Sequence, residues 1–171
     1  AYFKHVLKAC RTLMDQLNLK LEDIDYFVPH QPNLRFPIKV AKQLGFKEEQ
    51  YLPSLKVANF GNAYSGSSPI GLAAVLDIAK PDERILIVSY GSGAGSDAYS
   101  FMTTKQILEK RNQQKFNVLY QTESEHLEYI DYHRQKEGEA APKEVKKMDP
   151  LVFMHQLLSH LPPPYFQRAR K

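Results

Sequence analysis

Residues 84–104 read RILIVSYGSGAGSDAYSFMTT, and their interpretation decides the fold. RILIVSY (84–90) is an apolar, β-branched run of the kind found in strands buried on both faces. DAYSFMT (97–103) is a second strand. The glycine-rich GSGAG between them is short enough to return the chain antiparallel. A dinucleotide-type GxGxxG would need glycine at Ser96 and a helix after it; a strand comes next instead, which argues against a phosphate loop.

Working outward, SGSSPIGLAAVLDIA (65–79) reads as a helix of small residues, with Pro69 in its first turn, where no backbone donor is needed. Small side chains permit close approach to a sheet. Further upstream, Asp23 opens the run Ile24 to Val28, stopped by Pro29, a buried strand. Pro37, Val40, Ala41 and Leu44 mark the apolar face of a helix ending at Gly45. Phe3, Val6, Leu7, Cys10, Leu13, Met14 and Leu17 follow the i, i+3, i+4, i+7 pattern of another. Helices alternating with buried strands and closed by a hairpin predict an α/β layer with a mixed sheet.

The rest of the chain reads differently. Seven of the eight glycines precede residue 105, and residues 105–171 are rich in Lys, Glu and Gln. The compact domain is placed at 1–104, a charged helical extension at 105–142, and a linker with an amphipathic tail at 143–171. In that tail Leu151, Met154, Leu158 and Leu161 share a helical face, which reads as a docking peptide or as a loosely attached tail.

Composition bounds the function classes. With 43% hydrophobic residues the chain can build a core, and no apolar stretch approaches the roughly 20 residues that span a bilayer. The start has no cleavable-signal layout and no initial Met. One cysteine allows no intramolecular disulfide, so a reducing cytoplasm is the default expectation. A net charge of +4 without a basic stripe disfavours nucleic acid and suits an acidic small molecule. His126, His133, His155 and His160 have no metal-ligand context, so no metal site is expected.

Three stretches carry the chemistry: PHQPN (29–33), FGNAYSGSS (60–68) and SYGSGAGSD (89–97). Each lies where one element gives way to the next, the usual place for α/β sites. They offer an imidazole, a carboxamide, and a hydroxyl among glycines. Converging, they would make an oxyanion site. Taken singly each has a bland reading: a structural histidine, a turn dipeptide, a hairpin turn.

In this order, strand-HQPN, GNAYSGSS-helix and strand-YGSGAGSDAYS resemble the C-terminal half of thiolase-superfamily condensing enzymes. The match is nearer to hydroxymethylglutaryl-CoA synthases of archaeal type than to ketoacyl synthases. It covers about residues 1–104, and more faintly EYIDY (128–132). The resemblance implies an incomplete thiolase-like half, a mixed sheet with helices on both faces, plus a helical tail. It implies condensation of acetyl-CoA with acetoacetyl-CoA in the mevalonate route to isoprenoids. His30 would polarise the acceptor carbonyl and Asn62 would donate beside it. Ser92, Tyr64 and Gly91 would contact substrate, and Arg35 and Lys39, five and nine positions after the histidine, would meet CoA phosphates. Lys42 shares their face and is as well explained by solvation. No cofactor beyond the CoA thioesters is implied.

The family's nucleophilic cysteine and catalytic glutamate belong to its N-terminal half. Cys10 lies on an apolar helix face without a glycine-rich turn and reads as a packed, inert thiol. The missing groups are therefore expected on another chain or segment, and the protein in a homo- or hetero-oligomer. A thiolase and a small zinc-ribbon/OB-fold protein are among the partners the resemblance implies. Ketoacyl synthase chemistry and a non-catalytic CoA-binding scaffold remain the alternatives.

Overall fold

The spacing of apolar side chains sets which face each element buries, and a computed structural model shows the result. It describes residues 1–91, 95–111 and 115–117, and the backbone of 167–169. Helix α1 (Tyr2–Gln16) buries Tyr2, Val6, Cys10 and Leu13. Its buried face thus centres one position from the expected stripe: Tyr2 is interior, while Phe3, Leu7 and Met14 flank it half-buried. Strand β1 (Tyr26–Val28) comes next, then α2 (Arg35–Leu44), which buries Pro37, Val40 and Ala41. Gly45 ends α2 with φ 94°, and the N–H groups of Gly45 and Phe46 both donate to the Ala41 carbonyl at 3.1 and 3.0 Å. Glycine enters this left-handed region without steric cost.

Two short helices, α3 (Glu48–Tyr51) and α4 (Val57–Phe60), cross to α5 (Ser67–Leu76). The small-residue helix was expected over 65–79. A 3-10 turn at Tyr64–Gly66 precedes it, and Tyr64 has φ 49°, which a continuing α-helix does not accommodate. Helix α5 is buried almost all round, as its composition requires. Strands β2 (Arg84–Val88) and β3 (Ala98–Met102) form the antiparallel pair, with Leu86 opposite Ser100, and α6 (Gln106–Lys110) lies after them.

The sheet order is β1-β2-β3-β4, with β1 parallel to β2 and β4 (Gln167–Ala169) antiparallel to β3. Strand alternation sorts the core into two layers. Phe27, Leu86, Val88 and Ala98 pack on α1 and α2, whereas Val28 and Ile85 pack on α5. The result is a mixed sheet with helices on both faces.

The packing does not stop at residue 104. Phe116 is buried beside Leu72, Val75 and Ile85. Asn117 donates its backbone N–H to Asp77 Oδ2 at 2.7 Å and its Nδ2 to the Ala74 carbonyl at 3.0 Å, and Arg111 donates to the Ala79 carbonyl. Of these, Asn117 Nδ2 satisfies a carbonyl that the C-terminus of α5 leaves open, and Arg111 one just beyond it. The expected tail helix at 151–161, EYIDY, and the four later histidines lie outside the described residues. Among those described, no helix is long and apolar enough to cross a membrane, and no three His, Cys, Asp or Glu form a metal-holding group.

Candidate functional site

Parallel pairing of β1 and β2 puts Val28 opposite Ile87, so Pro29 and His30 emerge beside Val88 and Ser89 at the carboxyl ends of both strands. His30 is 6% exposed. Its ring lies 5.9 Å from that of Tyr90 and 6.3 Å from that of Tyr2, centroid to centroid. The Tyr2 hydroxyl donates to the His30 carbonyl at 2.5 Å, which fixes the peptide that carries the imidazole. The ring itself makes no hydrogen bond among the described residues. Burial holds its pKa below the ordinary histidine value, so at neutral pH it is an uncharged imidazole with one N–H to offer.

The carboxamide arrives on the loop between α4 and α5. Gly61 takes φ 70° and ψ −164°, a conformation open essentially to glycine alone. Asn62 Oδ1 then accepts the Tyr64 N–H at 2.9 Å. That local bond occupies Oδ1 and, among the described residues, leaves Nδ2 as a free donor on an exposed side chain. Tyr64 is held at φ 49° with its side chain 76% exposed. A bulky residue is rarely found there, and such strain gathers at functional loops.

The N-terminus of α5 ties this loop to the strand ends. Ser67 Oγ donates to the Gln31 carbonyl at 2.8 Å, and Ser68 Oγ donates to the Val88 carbonyl at 3.0 Å. The three stretches singled out in the sequence therefore meet at one edge of the sheet. Gly91 stands there, its N–H donating to the Gly95 carbonyl at 3.0 Å across the turn. Ser92 lies outside the described residues.

Arg35 and Lys39 are exposed on α2. Asn33 Oδ1 accepts the Phe36 N–H at 3.0 Å and so starts the helix that carries them. Lys39 Nζ sits over the Phe3 ring, 5.1 Å from its centroid. Lys42 pairs with Glu48 at 3.8 Å, an exposed contact worth little. Cys10 is wholly buried on α1, and burial pushes its thiol far above the ordinary range, so it does not supply a nucleophile.

Sequence reasoning assigned no role to Gln31, Tyr2 or Tyr90. Gln31 is 1% exposed and fully engaged. Its Nε2 donates to the Ser54 carbonyl at 2.6 Å, and its Oε1 accepts the N–H groups of Lys56 and Val57 at 2.8 and 3.0 Å. The signal was a polar residue at the end of a buried strand, where burial demands partners. Their identity depends on segments more than twenty residues away.

The sequence pattern of the family described as 3-oxoacyl-[acyl-carrier-protein (ACP)] synthase III C terminal matches residues 14–101. A hydroxymethylglutaryl-CoA synthase of Methanopyrus kandleri is 51% identical over 136 residues, covering 80% of this chain and 39% of that protein. The chain spans 31% to 39% of the length of such relatives. A β-ketoacyl-[acyl carrier protein] synthase III from Thermus thermophilus superposes with a TM-score of 0.51 at 30% identity, covering 60% of this chain and 33% of that one. A hydroxymethylglutaryl-CoA synthase structure complexed with CoA shares the fold with a TM-score of 0.59 at 21% identity, covering 77% and 38% of the two chains. The half-sheet, the site at its carboxyl edge and the match over residues 14–101 together place the chain in the thiolase-like condensing enzymes, in the family of C-terminal regions of 3-oxoacyl-ACP synthase III.

Proposed function

We propose that this chain carries the carbonyl-polarising and CoA-binding half of a hydroxymethylglutaryl-CoA synthase. In the reaction a cysteine on another segment or chain takes the acetyl group of acetyl-CoA with release of CoA, and water finally hydrolyses the condensed cysteine thioester to free the product. Between these steps a glutamate on that segment or chain removes a methyl proton from the acetyl thioester. The carbanion attacks the ketone of acetoacetyl-CoA, and negative charge grows on the ketone oxygen. His30 and Asn62 Nδ2 are the donors for that oxygen, and Tyr64, Gly91 and Ser92 contact the acyl portion. Arg35 and Lys39 meet the CoA phosphates. Donors held in place before reaction favour the transition state over the ground state.

The observation that carries this reading is His30: a neutral imidazole without a hydrogen bond among the described residues, at the point where β1, β2 and α5 converge. The relatives named hydroxymethylglutaryl-CoA synthase support the choice of substrates. The reading needs no cofactor beyond the thioesters. It places the protein in a cytoplasmic assembly on the mevalonate route to isoprenoids, with a thiolase and a zinc-ribbon/OB-fold protein as partners.

The test combines the chain with the cysteine-bearing part and assays two substrate pairs, acetyl-CoA with acetoacetyl-CoA and acetyl-CoA with a malonyl thioester. Hydroxymethylglutaryl-CoA should form, and His30→Ala or Asn62→Ala should each lower kcat by about 10²–10³ without blocking acetylation of the cysteine. Product only from the malonyl pair would make this a ketoacyl synthase part. Turnover that survives both substitutions would leave a CoA-binding scaffold.

A further inference from the structure

The loop that carries Asn62 is held at both of its ends by one residue, Gln31, the immediate neighbour of His30. At the near end, Gln31 Oε1 accepts the N–H groups of Lys56 and Val57, capping α4 from outside, while Nε2 holds the Ser54 carbonyl at 2.6 Å. At the far end, the Gln31 carbonyl receives Ser67 Oγ at 2.8 Å, where α5 begins. Residues 58–66 lie between these anchors, with Gly61, Asn62 and the strained Tyr64 among them. Gly71 leaves the room for this arrangement: a Cβ there would stand 2.7 Å from Gln31 Nε2 and 2.8 Å from the Ser54 carbonyl oxygen.

We infer that Gln31 is a positioning residue that sets where the Asn62 carboxamide stands relative to the His30 imidazole. It touches no reacting atom. Its amide satisfies one carbonyl and two N–H groups at once, and an isosteric carboxylate does so only when protonated. Ionised, Glu at this position would aim an oxygen at the Ser54 carbonyl; protonated, it would donate there as Gln does. The link to catalysis rests on the function proposed above, whereas the anchoring does not.

The experiment uses Gln31→Glu and the milder Ser67→Ala in the full chain. Amide hydrogen exchange, expressed as protection relative to intrinsic rates, is measured for residues 54–67 at pH 5.5 and pH 8. In Gln31→Glu, Lys56 and Val57 should lose about tenfold or more of their protection at pH 8, with α1 unchanged, and regain it at pH 5.5 as the buried carboxyl takes up its proton. In Ser67→Ala the loss should fall at residues 64–67. With the cysteine-bearing part present, both variants should lower kcat at pH 8 more than they raise KM, and leave cysteine acetylation intact. Unchanged protection in both variants would overturn the anchoring. Loosened loops with unaltered kcat would overturn the positioning role. If the unsubstituted chain formed no hydroxymethylglutaryl-CoA, the synthase reading would fail while exchange still decided the anchoring.

Discussion

Burying an imidazole without a hydrogen-bond partner disfavours its charged form, and His30 is in that position among the described residues. The unfolded chain takes up this proton near pH 6.5, and the folded chain only at lower pH. Between the two values the unfolded state binds more protons, so stability rises with pH in that window. The contribution of His30 is complete above about pH 6.5 and is lost as pH falls below it. Urea midpoints measured from pH 8 down to pH 5 should therefore fall more steeply for the unsubstituted chain than for His30→Gln; parallel curves would contradict the burial argument. Gly71 makes a second residue-scale case. Its neighbours on two sides are a backbone carbonyl and an amide already committed to hydrogen bonds. Gly71→Ala should cost roughly 1–3 kcal/mol of overpacking, read as a lower urea midpoint at constant m-value.

Helix α2 shows how an element serves two tasks with two faces. Val40 and Ala41 sit in the core while Arg35 and Lys39 stand in solvent, and the Asn33 side chain starts the helix just after the His30 strand end. That places both cations on the element that leaves the site. If they meet phosphates, their contribution is electrostatic and screened by salt. Replacing both by alanine should raise the KM for the CoA thioester about tenfold at low ionic strength, with kcat nearly unchanged. The difference from the unsubstituted chain should shrink at high salt. Steady-state kinetics at two salt concentrations check this, and a loss confined to kcat would move these residues away from CoA.

For the molecule as a whole, the layer on the α5 side of the sheet depends on residues beyond 104. Phe116 is 7% exposed and packs with the α5 side of the core, while Asn117 and Arg111 cover carbonyls at the end of that helix and just beyond it. Truncating a buried Phe to alanine commonly costs about 3–5 kcal/mol. Phe116→Ala is expected near the lower end of that range, in denaturant titrations, because the ring keeps a small exposed share. A change under about 0.5 kcal/mol would mean that 105–117 contributes nothing to the unit. Since α5 supports the Asn62 loop through Ser67, this packing lies behind the site as well.

The periodicities of the sequence by themselves determined the element types: the β2–β3 hairpin, the Gly45 stop and the small-residue helix are each local patterns with local causes. The order of the three motifs likewise determined the family. Only the tertiary structure decided that Tyr2, and not Phe3, faces inward, because helix phase depends on what lies opposite. It also decided that α5 starts at Ser67, that Phe116 joins the core, and that Gln31 rather than its neighbours ties the site together. Hydrogen bonds between residues 23 to 36 positions apart, such as Gln31 to Ser54 and Ser67 to Gln31, leave no period in a sequence. They exist because buried polar groups must find partners wherever the chain's packing brings them.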